Sequence, residues 1–83
     1  MKFNETVSFY QNVKMGLWSA GKSIAEAAET IGTTQAALTT RINAKFLRNG
    51  RSTPLDKKIF EHLSKNCPGF SEYCDENDIR IVS

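Results

Sequence analysis

The chain has 83 residues, of which 40% are hydrophobic and 24% charged, with a net charge of +2; this fits one small folded domain with a thin core. No apolar run approaches the roughly 20 residues that cross a bilayer. The opening MKFNETVSFYQNVKMGLWSAG is broken by Asn4, Glu5, Gln11, Asn12 and Lys14, unlike a signal peptide, so the expected location is the cytoplasm.

Taken in chain order, the first predicted helix starts near Asn4 or Glu5 and runs to about Ser19. Val7, Tyr10, Val13, Leu17 and Trp18 form its apolar stripe, and Phe9 stands on the shoulder. Trp18 is expected in the core; an exposed Trp18–Phe9 patch would instead mark an interface. Gly16 weakens this helix and Gly21 closes it. The β-branched and aromatic residues of TVSFY allow a short extended start as the alternative. Ser23 with Glu26 three residues later reads as a capping box, opening a second helix to about Ile31 with Ile24, Ala27, Ala28 and Ile31 inward.

Gly32 stands where a left-handed residue ends a helix. Thr33 or Thr34 caps the third helix, predicted over 34–48, with Leu38, Ile42 and Phe46 at four-residue steps and Asn49-Gly50 as its stop. Thr53-Pro54-Leu55-Asp56 combines a cap, a proline at the first helical position and an acid in the first turn, and so starts a fourth helix to about Lys65. Its apolar face is Leu55, Ile59, Phe60 and Leu63. Pro68-Gly69 ends the helical part. The alternation in DIRIVS has strand character, which needs a partner strand, a short wing or another subunit, and otherwise frays. The predicted organisation is a helical domain over 1–66 and an acidic C-terminal tail over 67–83, the tail read first as an unstructured solubilising end. The other readings let it lie over the basic helix or bind a partner protein.

The charge is unevenly placed. From Gln35 to Lys58 stand Arg41, Lys45, Arg48, Arg51, Lys57 and Lys58 against the single acid Asp56; from Cys67 onward stand Glu72, Asp75, Glu76 and Asp78 against Arg80. A basic middle of this kind is a footprint of polyanion binding, and also of a plain solvated face.

The order Ala28, Gly32, Leu38, Ile42 carries a physical constraint. Two steeply crossing helices that touch need a small residue at the contact, which Ala28 supplies. Their turn needs positive φ, which glycine takes without steric cost. Leu38 and Ile42 then seat the second helix on the first and leave its other side free. IAEAAETIGTTQAALTTRIN resembles the helix-turn-helix of bacterial and phage DNA-binding proteins, and TTQAALTTRI is most similar to the Fis-type and Cro-type form. Arg41 departs from the many repressors that carry an aliphatic residue there; the Fis-like pattern accepts a basic one.

The resemblance implies an all-α bundle of about four helices, with a short terminal strand or wing as an option, and a helix over 34–48 lying in the major groove. It implies base readout by Thr34, Gln35, Ala36, Thr39, Thr40 and Asn43. Gln35 and Asn43 suit adenine, and Ala36, Thr39 and Thr40 suit thymine methyls. Arg41, Lys45 and Arg48, at i, i+4 and i+7, would form a phosphate-contacting stripe, extended by Arg51, Lys57, Lys58, Lys22 and Ser23. The implied partner is double-stranded DNA, bound by a homodimer, and the implied role is sequence-specific transcription regulation in bacteria, phages or mobile elements.

Other chemistry is poorly supported. His62, Cys67 and Cys74 lack the paired spacing of a zinc site, two cysteines are too few for a disulfide scaffold, and SEYCDENDIR lacks the calcium-loop spacing. No phosphate-binding loop or nucleophile motif is present. No enzyme, metal, cofactor or membrane association is expected. The principal alternative is a protein-binding adaptor or anti-repressor using the same fold without DNA contact, which predicts an exposed apolar patch at Phe9, Trp18 or Leu47. Leu47 falls on the outer side of the third helix. RNA binding is the weaker option, since Phe3, Phe9, Tyr10, Phe46 and Phe60 look committed to helix stripes.

Overall fold

Side-chain caps set most of the helix starts. Ser8, Ser23, Thr34 and Thr53 each accept a hydrogen bond from the backbone N–H three residues on, supplying a partner to a helix-end donor that otherwise lacks one. The computed structural model describes residues 2–82. Its helices are α1 (Phe9–Ser19), α2 (Ile24–Ile31), α3 (Gln35–Asn43), α4 (Pro54–Asn66) and α5 (Phe70–Glu76). The protein is a small all-helical bundle, and no strand forms among the described residues. None of the described helices is long and apolar enough to cross a membrane.

α1 starts later than its apolar pattern suggests. The Asn4 carboxamide oxygen accepts from Thr6 N and Thr6 Oγ1, a local alternative to helical bonding. Asn12 is fully buried and holds the same residue from the other side: its Nδ2 donates to Asn4 O at 2.8 Å, and Asn4 N donates to Asn12 Oδ1 at 2.7 Å. The opening thus folds back and places Phe3 in the core, 5.2 Å from the Tyr73 ring.

The inward face of α1 is Phe9, Asn12, Val13, Gly16 and Leu17. Trp18 is not core as expected: one residue is a 100° step around the helix from Leu17, which leaves it 78% exposed. Gly16 has a packing role, because a Cβ there would lie 2.6 Å from Cys67 Sγ and 3.1 Å from the Pro68 carbonyl.

α2 ends as its glycine predicts. Gly32 is left-handed (φ 88°), Gly32 N–H donates to Glu29 O and Thr33 N–H to Ala28 O, which is the Schellman arrangement. The Ser23–Glu26 capping box is only half formed. Glu26 N–H donates to Ser23 Oγ, while the Glu26 carboxylate meets that hydroxyl rather than the backbone.

α3 ends at Asn43, not at 48. Lys45 N–H donates to Ile42 O and Phe46 N–H to Arg41 O, a second Schellman arrangement with lysine in the glycine position. Lys45 and Phe46 both take positive φ, at 55° and 63°, at a cost of roughly 1–2 kcal/mol each. The turn delivers Phe46 to a fully buried place where its ring meets Phe9, Phe60 and Phe70 edge-on, with centroids 6.0, 5.5 and 6.0 Å away. Aromatic packing therefore outweighs helix continuation.

Asn49 and Gly50, the expected helix stop, instead close a tight hairpin. Both take positive φ, and Arg48 and Arg51 exchange backbone hydrogen bonds of 2.7 and 3.1 Å, as a primed two-residue turn requires. Ser52 ties the hairpin to the chain end: its Oγ donates to Phe46 O and accepts from Val82 N–H, and its N–H donates to Val82 O. That pairing stops short of the strand suggested by DIRIVS.

The acidic segment is not an unstructured end. α5 and the residues after it place Phe70, Cys74 and Ile79 in the same core as Val13, Leu38 and Ile59. Glu72, Asp75 and Glu76 face outward. α3 packs on α1 and α2, α2 also on α4, and α4 on α5.

Candidate nucleic-acid interface

α3 is buried along Leu38 and Ile42, both fully inaccessible. Helical periodicity then sends the residues at 35, 36, 39, 40 and 43 to the opposite side. Gln35, Ala36, Thr40 and Asn43 are exposed there, and Thr39 is half-buried with its hydroxyl donating to Gln35 O at 2.8 Å. Thr34 is exposed at the helix entrance, where its Oγ1 accepts from Ala37 N–H. The six residues expected to read bases thus lie along one polar strip and its N-terminal end.

The expected cationic stripe does not form. Arg41 turns inward to Asp56 on α4: Nε lies 2.6 Å from Oδ1 and Nη2 2.8 Å from Oδ2, a two-pronged ion pair. Its side chain is 15% exposed and that of Asp56 is inaccessible, so the guanidinium is committed to the fold and is not free for a phosphate. Lys45 and Arg48 lie beyond the end of α3, so they share no helix face with it. The hairpin sets Arg48 beside Arg51, Lys45 stays in the turn that ends α3, and all three are exposed.

Lys57 and Lys58 are exposed on the first turns of α4. Lys22 and Ser23 are half-buried before α2, the Ser23 hydroxyl being taken up as a cap. Between Glu29 and Asp56 the chain contains no carboxylate, and Asp56 is buried. The polar strip itself is uncharged, and the exposed charges that follow it in this stretch, Lys45, Arg48 and Arg51, are all positive.

Asp56 is the main residue that sequence reasoning missed. Its place as an acid in the first turn of α4 was visible, but its partner was not. It completes the Thr53 capping box, accepting from Thr53 N–H at 2.7 Å while Asp56 N–H donates to Thr53 Oγ1. Burial pushes its carboxyl pKa up, but the hydrogen bonds from Arg41 and Thr53 outweigh this and hold it below the usual aspartate value. The same hydrogen bonding raises the Arg41 pKa.

The remaining titratable groups singled out in the sequence lie elsewhere. His62 lines a groove with Thr30, Lys58 and Asn66, and burial followed by the Lys22 charge lowers its pKa. Cys67 and Cys74 are buried free thiols, pushed up to about 12 chiefly by burial, which keeps them protonated and unreactive at neutral pH. No family model, curated protein or solved structure matches this chain.

Proposed function

We propose that the protein is a DNA-binding transcription regulator that lays α3 in the major groove and sets Lys45 and the 48–51 hairpin against the phosphate backbone. The observation carrying this reading is the exposed polar side of α3, free of carboxylates and followed in the chain by the exposed cations Lys45, Arg48 and Arg51. In this reading Gln35 and Asn43 pair with adenine edges, Ala36, Thr39 and Thr40 meet thymine methyls, and Thr34 sits at the groove entrance. Lys45, Arg48 and Arg51 neutralise phosphates, with Lys57, Lys58 and Lys22 extending the track, while the Ser23 hydroxyl stays engaged with Glu26. Arg41 is a positioning residue that holds α3 to α4 through Asp56.

A unit of 9.3 kDa buries little DNA surface. Two copies on half-sites about 34 Å apart would give the required affinity.

The test is fluorescence anisotropy on a random-sequence duplex across a salt series, with the wild type and the Lys45→Ala/Arg48→Ala/Arg51→Ala variant. Wild-type binding should weaken with salt, and the variant's log–log slope should be shallower by about 2–3. A folded wild type that fails to bind at low salt, or an unchanged slope in the variant, would refute the reading. A second reading, a protein-binding module, is favoured by Leu47, which is 40% exposed between Lys45 and Arg48. It predicts a partner whose binding survives loss of those three cations and fails with Leu47→Ser.

A further inference from the structure

Two of the most exposed large hydrophobic residues stand together. Trp18 is 78% and Met15 42% exposed, three residues apart on one face of α1. They wall a groove of about 490 Å³ that runs between α1 and the start of α2, floored by Ile24 and edged by Lys14 and Lys22. No carboxylate lines it, and neither lysine belongs to an ion pair among the described residues. Lys22 also borders an adjoining groove that holds Glu26, yet an apolar trough edged by two cations outside any ion pair suits an occupant that brings an apolar side chain and negative charge together.

The chain itself does not supply that occupant. Two copies joined groove to groove would set Lys14 and Lys22 against their own counterparts. The acidic face of α5 (Glu72, Asp75, Glu76) has the right charge but no exposed apolar anchor, since Phe70 and Cys74 are buried. A bilayer surface would match the charge, but a concave trough suits an inserted side chain better than a flat interface.

We propose that this groove docks an acidic amphipathic helix of another protein, with an aliphatic or aromatic side chain of that helix seated on Met15 and Trp18 and its carboxylates on Lys14 and Lys22. The mode is a helix laid in a groove and read through anchors at i, i+3 or i+4. Lys22 also belongs to the proposed phosphate track, so the test contains no DNA and its failure leaves the DNA reading standing.

Trp18 is the sole tryptophan and reports its own burial. The full chain is titrated with a synthetic amphipathic helical peptide carrying leucine and phenylalanine anchors and glutamates on the polar positions. A second peptide has lysines in place of the glutamates. The expected result is a saturable blue shift of Trp18 emission with the acidic peptide, at least about tenfold weaker with the basic one.

Lys14→Glu/Lys22→Glu should reverse the order of the two peptides. Trp18→Ala, whose side chain supports no core contact, should weaken binding of a labelled acidic peptide at least about tenfold. Three results overturn the proposal: no shift with the acidic peptide; a shift produced by raising the protein concentration alone, with a dimer in sedimentation; or a shift with phosphatidylserine-containing vesicles and none with the peptide.

Discussion

Replacing Arg41 with alanine separates a structural role from a phosphate-binding one. The substitution removes two charge-assisted bonds of 2.6 and 2.8 Å and leaves Asp56, fully inaccessible, with only Thr53 as a partner. Breaking a buried pair from one side costs about 3–5 kcal/mol. The partial exposure of Arg41, 15%, places this case toward the lower end, about 3 kcal/mol. A chain of this size has a total stability of about 4–12 kcal/mol, so the variant should lose between about a quarter and three quarters of it.

Urea denaturation followed by far-ultraviolet circular dichroism measures the loss, because Trp18 is already exposed when folded and reports unfolding poorly. A loss below about 1 kcal/mol, the value of a surface pair, would refute the reasoning. The pH dependence adds a second check. Asp56 has a folded pKa below its unfolded value, so the unfolded chain binds the extra proton. The pair's stabilisation is therefore full above the ordinary aspartate pKa of about 3.9 and is lost as pH falls through the lower folded value. Arg41→Ala should flatten that acid limb.

Two further substitutions test the backbone. Gly16→Ala should destabilise by about 1–2 kcal/mol in the same denaturation assay, because the clash with Cys67 and Pro68 outweighs the gain of up to about 1 kcal/mol in helix propensity; a more stable variant would show that the α1 contact gives way freely. Lys45→Gly should stabilise by about 0.5–1 kcal/mol, since it relieves a positive φ at an exposed side chain; a loss of stability would mean that the lysine side chain contributes more than its backbone strain costs.

The elements most legible in the sequence are those set by near neighbours. Ser23, Thr34 and Thr53 are caps three residues from the N–H they accept from, and Gly32 needs only its own φ to end α2. Leu38, Ile42, Ile59 and Leu63 are core because a helical stripe with one buried side requires it. The same periodicity leaves the other side of α3 outward, while the base-reading role of that side is what the helix-turn-helix resemblance implies.

What tertiary structure decided involves partners distant in sequence. α3 breaks at Asn43 because Phe46 packs on Phe9, Phe60 and Phe70, and no local signal such as a glycine marks that break. Arg41 looked like one of a row of surface cations, and only the approach of α4 brings Asp56 to it. Gly16 reads as a weak point within α1 until Cys67 and Pro68 are seen against it. Trp18 is hydrophobic enough for a core, but the direction of α1 is set by Phe9, Val13 and Leu17, and it turns Trp18 outward. Capping and helical periodicity act over one or two turns, so the chain order alone determines them. Burial, ion pairing and aromatic packing depend on which segments meet, and their energies override local preferences of about 1–2 kcal/mol.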